Sequence, residues 1–206
     1  MKDWINQKTF HLPEDTVVAV GKFDGEHRGH RKLFRTLKDE ANKKGLKTVV
    51  FSFRTLPSNV VKNKHTTQIF TNVERRKKLE ELGIDYYIEY PFDMNIARLT
   101  GEEFLKDILI KKLGMAEIVA GDDAAFGYKK SGNIELLNRL SKDLGFDVKI
   151  ITKEKDDFQN DISSTLIRSK LDEGDMEEAN KLLGGVYSIS GVVEEGNKLG
   201  VKLGFP

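Results

Sequence analysis

Two histidines near the N-terminus have a spacing that could support chemistry. They end the segment GKFDGEHRGH, residues 21–30, whose three glycines permit a tight turn and close approach of a ligand. His27 and His30 are three residues apart on the first turn of a predicted helix, so both rings can face one ligand. The free N–H groups of a helix start attract phosphate, and imidazole can hydrogen-bond to phosphate oxygens. The segment therefore favours a phosphate site.

A metal site is an alternative use of Asp24, His27 and His30. Zinc needs three or four ligands, and the chain has only 4 histidines and no cysteine. Mg²⁺ carried in by a nucleotide is the more natural metal, because it needs only one or two protein oxygens besides phosphates. The glycine spacing matches neither a Walker loop nor a dinucleotide-binding motif.

Two other segments carry residues that could bind a nucleotide. Ser163, Ser164 and Thr165 begin a predicted helix, and Arg168 follows one turn later. Those hydroxyls could simply cap the helix, or they could clamp a phosphate together with Arg168. The loop GDDAAFG, residues 121–127, follows a predicted strand and could hold a ring and a sugar-like chain. An ordinary strand-to-loop turn is the alternative there.

Strand and helix patterns alternate along most of the chain. The predicted strands are Val17–Val20, Thr48–Phe53, Tyr86–Tyr90, Glu117–Ala120 and Val148–Thr152. The predicted helices are an amphipathic stretch through Leu33, Phe34, Leu37 and Ala41 that ends at Gly45, then Glu74–Leu82, Thr100–Gly114, Asn133–Leu144, Ser164–Leu171 and Met176–Leu183. Apolar strands in β-α order predict an α/β fold, a Rossmann-like doubly wound parallel sheet that binds ligands where strand order reverses.

Composition excludes several classes of protein. The 206 residues include 34 Lys and Arg against 33 Asp and Glu, a net charge of +1, so no nucleic-acid partner is expected. Without cysteine there is no disulfide scaffold, thiolate zinc site or cysteine nucleophile. No apolar run approaches the roughly 20 residues that span a bilayer, and the N-terminus lacks a signal-peptide pattern. We therefore expect a cytoplasmic protein without a membrane partner.

The pattern changes after Gly185. Residues 186–206 show alternating strand character and no helix pattern, which predicts a β-hairpin at the start of another domain. The predicted division is a nucleotide-binding domain at 1–185 and an incomplete β fragment at 186–206.

The three motif segments, in this order and at these separations, resemble the adenylyltransferase module of bacterial FAD synthetases, which are usually bifunctional riboflavin kinase/FMN adenylyltransferases. The matching stretches are GKFDGEHRGH at 21–30, GDDAAFGYKKSG at 121–132 and SSTLIRSKLDEGDMEEANKLLG at 163–184. The HxGH pattern belongs to a broad nucleotidyltransferase superfamily, whereas SSTxIR with its helix pair is far more specific. The resemblance extends from about residue 15 to residue 206.

The resemblance implies a nucleotidyltransferase that converts FMN and Mg-ATP to FAD and pyrophosphate. It implies catalytic roles for His27, His30 and Arg168, with Mg²⁺ carried by ATP and the protein's own metal ligands unknown. The implied ATP-binding residues are Gly21, Phe23, Asp24, His27, His30, Ser164, Thr165 and Arg168. The implied FMN-binding residues are Asp123, Phe126 and Gly127.

The sequence departs from the family pattern at two places. Ala124 and Ala125 stand where the family usually has an aromatic and often a basic residue, and Ser52–Pro57 lacks the usual histidine. Two alternatives follow: an adenylyltransferase for another phosphorylated acceptor, or a flavin- or nucleotide-binding protein without turnover, although intact His27, His30 and Arg168 argue against the latter. The tail resembles the first hairpin of the riboflavin kinase domain, which stops here at Pro206, so we expect no kinase activity.

Overall fold

A parallel sheet with helices on both faces forms the protein. The structure is a computed structural model that describes residues 1–5, 7–55, 67–156, 161–194 and 203–205. Within these residues the six strands are β1 Lys2–Ile5, β2 Thr16–Val20, β3 Lys47–Phe53, β4 Tyr86–Tyr90, β5 Met115–Gly121 and β6 Asp147–Ile151. Their order is β1-β4-β3-β2-β5-β6, and every neighbouring pair is parallel. The predicted fold class is confirmed.

The helices begin and end close to the predicted positions. They are α1 Arg28–Lys44, α2 Asn72–Glu81, α3 Met94–Arg98, α4 (Gly101–Glu103, Phe104–Ile110 and Lys111–Leu113 in succession), α5 Ile134–Leu144, α6 Ser164–Asp172 and α7 Met176–Leu183. The middle segment of α4 is π-helical, a form that is often found at functional sites. Thr71 and Thr100 make capping boxes, whereas Gly45 and Gly114 end α1 and α4 in the left-handed conformation.

Alternate strand residues supply two apolar cores. On β2, Val17 and Ala19 pack with α1 and α2 on one face, while Val18 packs with α4 and α5 on the other. Both faces of the central strands are therefore buried, which is why those strands are mainly apolar. A third cluster, which includes Ile69 and Ile167, joins α6 and α7 to the segment that precedes α2.

Three elements among the described residues were not predicted from the sequence: β1, α3 and a 3₁₀-helical turn at Tyr128–Lys130. The edge strand β1 has two charged residues in four, and the short helix α3 has no apolar repeat, so neither carries a periodic pattern. The tail 186–194 contains no strand, and 195–202 lie outside the described residues, so the predicted hairpin is untested. The search of the described residues for a helix able to cross a membrane found none.

The strand order reverses between β2 and β5. From β2 the chain moves outward through β3 and β4, then returns to place β5 on the other side of β2. The loops that follow β2 and β5 consequently separate above the carboxyl ends of these two strands, where such sheets bind ligands. Both loops belong to the segments singled out in the sequence.

Candidate active site

The loop between β2 and α1 turns sharply over a buried phenylalanine. Phe23 and Glu26 have φ of 47° and 37°, in the left-handed region that costs a non-glycine residue about 1–3 kcal/mol. The Phe23 ring is buried, with its centroid 5.0 Å from that of Phe34. A Cβ on Gly21 would come within 2.7 Å of the Phe23 ring, so glycine is required there. Packing of Phe23 offsets the backbone strain and holds the loop against α1.

His27 and His30 stack on each other at the start of α1. Their ring centroids are 3.7 Å apart with planes at 22°, and Phe23 meets His30 edge-on at 5.3 Å. Burial lowers the pKa of His27 to about 4. Burial also holds the pKa of His30 well below its usual range, assisted by His27 and Arg75. Both rings are thus neutral near pH 7, and each has one N–H that can donate to a phosphate oxygen.

Because the pKa of both histidines is lowered in the folded protein, we expect the protein to lose stability in acid. In the unfolded chain each imidazole binds a proton near its ordinary pKa of 6.5, while His27 in the folded chain stays neutral down to about pH 4. The free energy of unfolding should therefore fall as the pH drops from about 6.5 towards 4. Urea unfolding at a series of pH values measures this. His27→Gln should flatten the slope and His11→Gln, at an exposed site, should not; equal slopes in all three proteins would contradict the prediction.

Glu26 is a buried carboxyl in the same loop. It is 5% exposed, and its Oε1 has no hydrogen-bond partner among the described residues. Burial raises its pKa to about 8, despite the opposing charges of Lys78, Arg31 and Arg75. Between about pH 4.5 and pH 8 the folded protein therefore keeps a proton on Glu26 that the unfolded chain releases. The free energy of unfolding consequently falls as the pH rises from about 4.5 towards 8.

Glu26→Gln should therefore stabilise the protein in base. The amide cannot ionise, so the cost of a buried charge disappears, and we expect a gain on the order of 2 kcal/mol at pH 8.5 but little change at pH 5. Denaturant unfolding at both pH values measures the gain. Glu177→Gln, on the exposed face of α7, is the matched control; an equal effect of the two substitutions would refute the assignment.

Asp24 attaches the loop to α6. Its carboxylate accepts hydrogen bonds from the Ile69 backbone N–H at 2.8 Å and from Arg168 Nη1 at 2.6 Å. The Ser164 hydroxyl donates to the Asp24 carbonyl. Asp24 is 3% exposed, so its charge is balanced almost entirely by Arg168. The arginine expected to face ATP is thus joined to the loop that carries the histidines.

A polar cavity of about 230 Å³ opens beside the stacked histidines. It lies between the ends of β5 and β6 and the start of α6. Its lining residues are His27, Gly29, His30, Leu33, Gly121, Asp123, Ile151, Thr152, Lys153, Glu154, Asp161, Ile162, Ser163 and Ser164. The predicted phosphate-binding histidines and Ser164 therefore meet at one cavity. Thr165 is exposed and is not among its lining residues.

Lys153 and Asp161 were missed in the sequence. The Lys153 ammonium lies 3.1 Å from Asp123 and 2.9 Å from Asp161, joining the loops after β5 and β6 across the cavity. Both residues lie in a charged stretch without periodicity. The one available signal was the position of Lys153 just after a predicted strand, at the edge of the sheet where the other loops converge.

The loop after β5 is fastened to the start of α4. Phe126 and Gly132 exchange two backbone hydrogen bonds, and Tyr128 N–H donates to the Leu99 carbonyl at 2.6 Å. Gly127 has φ +71°, and a Cβ there would lie 2.4 Å from the Gly101 nitrogen. Close approach of the two backbones therefore requires glycine at 127, and it fixes the position of Phe126.

Phe126 helps to line a second cavity, which is apolar and measures about 260 Å³. The Phe53 and Phe92 rings meet edge-on at 4.9 Å, and the Phe104 and Phe126 centroids are 6.0 Å apart. The lining residues are Val20, Gly21, Lys22, Phe53, Phe92, Ile96, Ala97, Phe104, Ile118, Val119, Ala120, Ala124, Ala125, Phe126, Gly127 and Leu137. The cavity has the aromatic and aliphatic surface that suits a flat apolar ring.

The structure divides the residues expected on the flavin side. Phe126 and Gly127 line the apolar cavity, whereas Asp123 lines the polar one. The two cavities flank the reversal point: Gly21 at the end of β2 borders the apolar cavity, and Gly121 at the end of β5 borders the polar one. One ligand held in each cavity could react across this point.

Comparison with known proteins identifies the family. The family model for FAD synthetase matches residues 9–166, more than half of the chain. The chain belongs to the FAD synthetase family. The chain is 38% identical over 196 residues to a bifunctional riboflavin kinase/FMN adenylyltransferase of Buchnera aphidicola subsp. Schizaphis graminum, and 35% identical over 194 residues to that of Escherichia coli strain K12. The suspected family is confirmed.

These FAD synthetase relatives are longer than the chain. The alignments cover 95% and 94% of the chain but only 63% and 62% of the two relatives. A solved structure named as a macrolide-efflux protein from Streptococcus pneumoniae is 35% identical, with a TM-score of 0.87 over 100% of the chain and 66% of its own. A pantoate-β-alanine ligase from Francisella tularensis, 14% identical with a TM-score of 0.53 over 94% of this chain and 90% of its own, shares the fold alone.

Proposed function

We propose that the chain is an FMN adenylyltransferase, which transfers AMP from Mg-ATP to FMN and releases FAD and pyrophosphate. The observation that carries this proposal is the presence of two unlike cavities on either side of the reversal point of the sheet. The histidine-lined cavity suits the nucleotide, and the cavity lined by four phenylalanines suits the flavin ring. Family membership supports the same assignment. The use of ATP as donor favours the cytoplasm as its location.

The reaction needs no nucleophile from the protein. An oxygen of the FMN phosphate attacks the α-phosphorus of ATP, a new P–O bond forms, and the bond to the β-phosphate breaks as pyrophosphate leaves. The attacking oxygen is already an anion, so no general base is needed. The protein positions the two phosphates and stabilises the charge that develops between them. The neutral N–H groups of His27 and His30 and the start of α1 supply that stabilisation.

The other site residues act around these histidines. Gly21 and Phe23 shape the turn, while Ser164 faces the nucleotide from α6, with Thr165 beside it. Arg168 acts mainly by holding Asp24 and the loop. Its remaining guanidinium N–H groups can donate hydrogen bonds to a phosphate. Asp123 lines the polar cavity, but its carboxylate would repel phosphates. It therefore accepts hydrogen bonds from the hydroxyl groups of a sugar. Phe126 and Gly127 contact the flavin ring.

Mg²⁺ enters this scheme as part of the ATP substrate. Among the described residues, no three His, Cys, Asp or Glu side chains group closely enough to hold a metal ion. The phosphates would supply most of its ligands, as is usual for this ion.

A second candidate acts on another phosphorylated acceptor. Ala124 and Ala125 both line the apolar cavity, at the two places where the sequence departs from the family's loop. Small side chains there reduce the contact area for an isoalloxazine ring, so a different acceptor could bind instead.

One set of incubations tests both candidates. The protein is mixed with Mg-ATP and, separately, FMN, riboflavin and a panel of other phosphate monoesters, and both pyrophosphate and product are measured. FAD formed from FMN supports the first proposal, while pyrophosphate formed only with another monoester supports the second. Binding without pyrophosphate would refute both. The riboflavin incubation also tests the prediction that the chain has no riboflavin kinase activity. The predicted domain boundary at residue 185 is not tested by these incubations and stays a prediction.

A further inference from the structure

Among the described residues, one charged residue lines the apolar cavity. Of the described residues that line it, all are aliphatic, aromatic or glycine except Lys22. Lys22 is exposed, and none of the described carboxylates forms an ion pair with its ammonium group. A lysine at the border of an otherwise apolar site is placed to form an ion pair with an anionic group on a ligand whose ring fills that site.

The backbone of Lys22 is held firmly although its side chain is exposed. The Lys22 carbonyl accepts a hydrogen bond from Arg75 Nη1 at 2.8 Å and another from Ser52 Oγ at 3.3 Å. Arg75 is 1% exposed and is itself bonded to Asn72 at 2.6 Å. This buried support fixes where the lysine leaves the sheet and leaves the four-carbon side chain to reach a ligand.

Along the chain, Lys22 lies at the border of the apolar cavity, just before the loop that carries the two histidines. Gly21, just before it, lines the apolar cavity, and the ring of Phe23, just after it, packs against the His30 ring. An acceptor with its ring in the apolar cavity must direct its phosphate towards the histidines, past this position. That phosphate carries a charge of about −1.5 to −2 near pH 7.

We propose that Lys22 binds the phosphate of the acceptor and makes the apolar cavity selective for phosphorylated over unphosphorylated ring compounds. The inference rests on the proposed function, because it takes FMN as the acceptor. The ammonium group forms a charge-assisted hydrogen bond to a non-bridging phosphate oxygen and holds the attacking group in line with the α-phosphorus. Riboflavin has the same ring without the phosphate, so it gains nothing from Lys22.

Equilibrium binding without ATP tests the inference directly. Quenching of flavin fluorescence measures the Kd of FMN and of riboflavin for the wild type, Lys22→Met and Lys22→Arg. Lys22→Met should weaken FMN binding by about 10- to 100-fold, the range for one charge-assisted hydrogen bond, and leave riboflavin binding unchanged. Lys22→Arg should restore most of the FMN affinity, because it restores the cation. Thermal unfolding confirms that each variant is folded.

Lys129→Met is the matched control. Lys129 is an exposed lysine two residues after Gly127 and does not line the cavity, so its loss should change neither Kd. A Lys22→Met protein that binds FMN as tightly as the wild type, or that loses FMN and riboflavin affinity equally, overturns the inference. An equal loss in Lys129→Met does so as well, since any nearby positive charge would then suffice.

Steady-state kinetics separates this inference from the proposed function. If the wild type makes FAD, Lys22→Met should raise the KM for FMN and leave the KM for ATP unchanged. If the wild type makes no FAD but still prefers FMN to riboflavin in a Lys22-dependent way, the proposed reaction fails and the phosphate site stands. FAD formation with an unchanged KM for FMN in Lys22→Met overturns the phosphate site alone.

Discussion

His30→Ala should lower kcat for FAD formation by about 10²- to 10³-fold, the usual cost of removing one donor that stabilises charge in a transition state. Its ring is held between His27, at 3.7 Å, and the edge of Phe23, at 5.3 Å. A donor that is already oriented needs no rearrangement when charge develops on the α-phosphate oxygens. Because the interaction strengthens in the transition state, kcat should fall far more than the KM for ATP rises.

Two comparisons make the His30 prediction specific. His11→Ala, at an exposed histidine outside both cavities, should leave kcat within about twofold, and thermal unfolding should show that the His30→Ala protein is folded. The pH profile then distinguishes the protonation states. Because burial lowers the pKa of both rings, a neutral donor should give no rise in kcat as the pH falls through 6.5, whereas a donor that must be protonated would give a rise only at the lower pH where these rings titrate. Near-normal kcat in His30→Ala would remove the histidine from the mechanism.

Local signals explain how well the fold follows from the sequence. Gly45 and Gly114 end helices at the predicted residues because each adopts the left-handed conformation there. The four central strands were predictable because both of their faces are buried, which leaves largely apolar runs. The π-helical turn in α4 was not, because its sequence, Phe104–Ile110, has apolar residues that an ordinary helix would also bury.

The candidate site was predictable only in part, since its chemistry depends on contacts between distant segments. Spacing places His27 and His30 on one helical turn, but their neutral state follows from burial beside Phe23. The loop 121–127 was predicted as one flavin-side unit. In the structure it turns at Gly121–Ala124, where Ala124 N–H bonds to the Gly121 carbonyl at 3.0 Å, so Asp123 and Phe126 line different cavities. The sequence allowed a turn at this place as an alternative, but it does not report which cavity each residue of the turn lines.

Arg168→Met should lower the free energy of unfolding by about 3 kcal/mol, because it leaves a buried carboxylate without its cation. Asp24 is 3% exposed, and the other hydrogen bond that its carboxylate accepts comes from the Ile69 backbone N–H. The loop would also lose one of its two links from Asp24 to α6 and keep only the hydrogen bond from the Ser164 hydroxyl, so the KM for ATP should rise together with the loss of stability. Urea unfolding and steady-state kinetics on the same preparation measure both effects.

We assign the loss of stability in Arg168→Met to the unpaired buried charge of Asp24 and not to the lost packing of a long side chain. A second substitution separates these two causes. Asp24→Asn in the Arg168→Met background removes the unpaired charge and should recover part of the lost stability, whereas a packing defect would not recover.

Lys170→Met provides the surface control on the same helix. Lys170 pairs with Glu173 at 2.8 Å in an exposed position, and breaking that pair should cost less than about 1 kcal/mol. If Lys170→Met and Arg168→Met destabilise equally, Asp24 is not the anchor of the loop. If only Arg168→Met does, the result supports the ion pair between Asp24 and Arg168 as the anchor that holds the histidine loop to α6 beside the polar cavity.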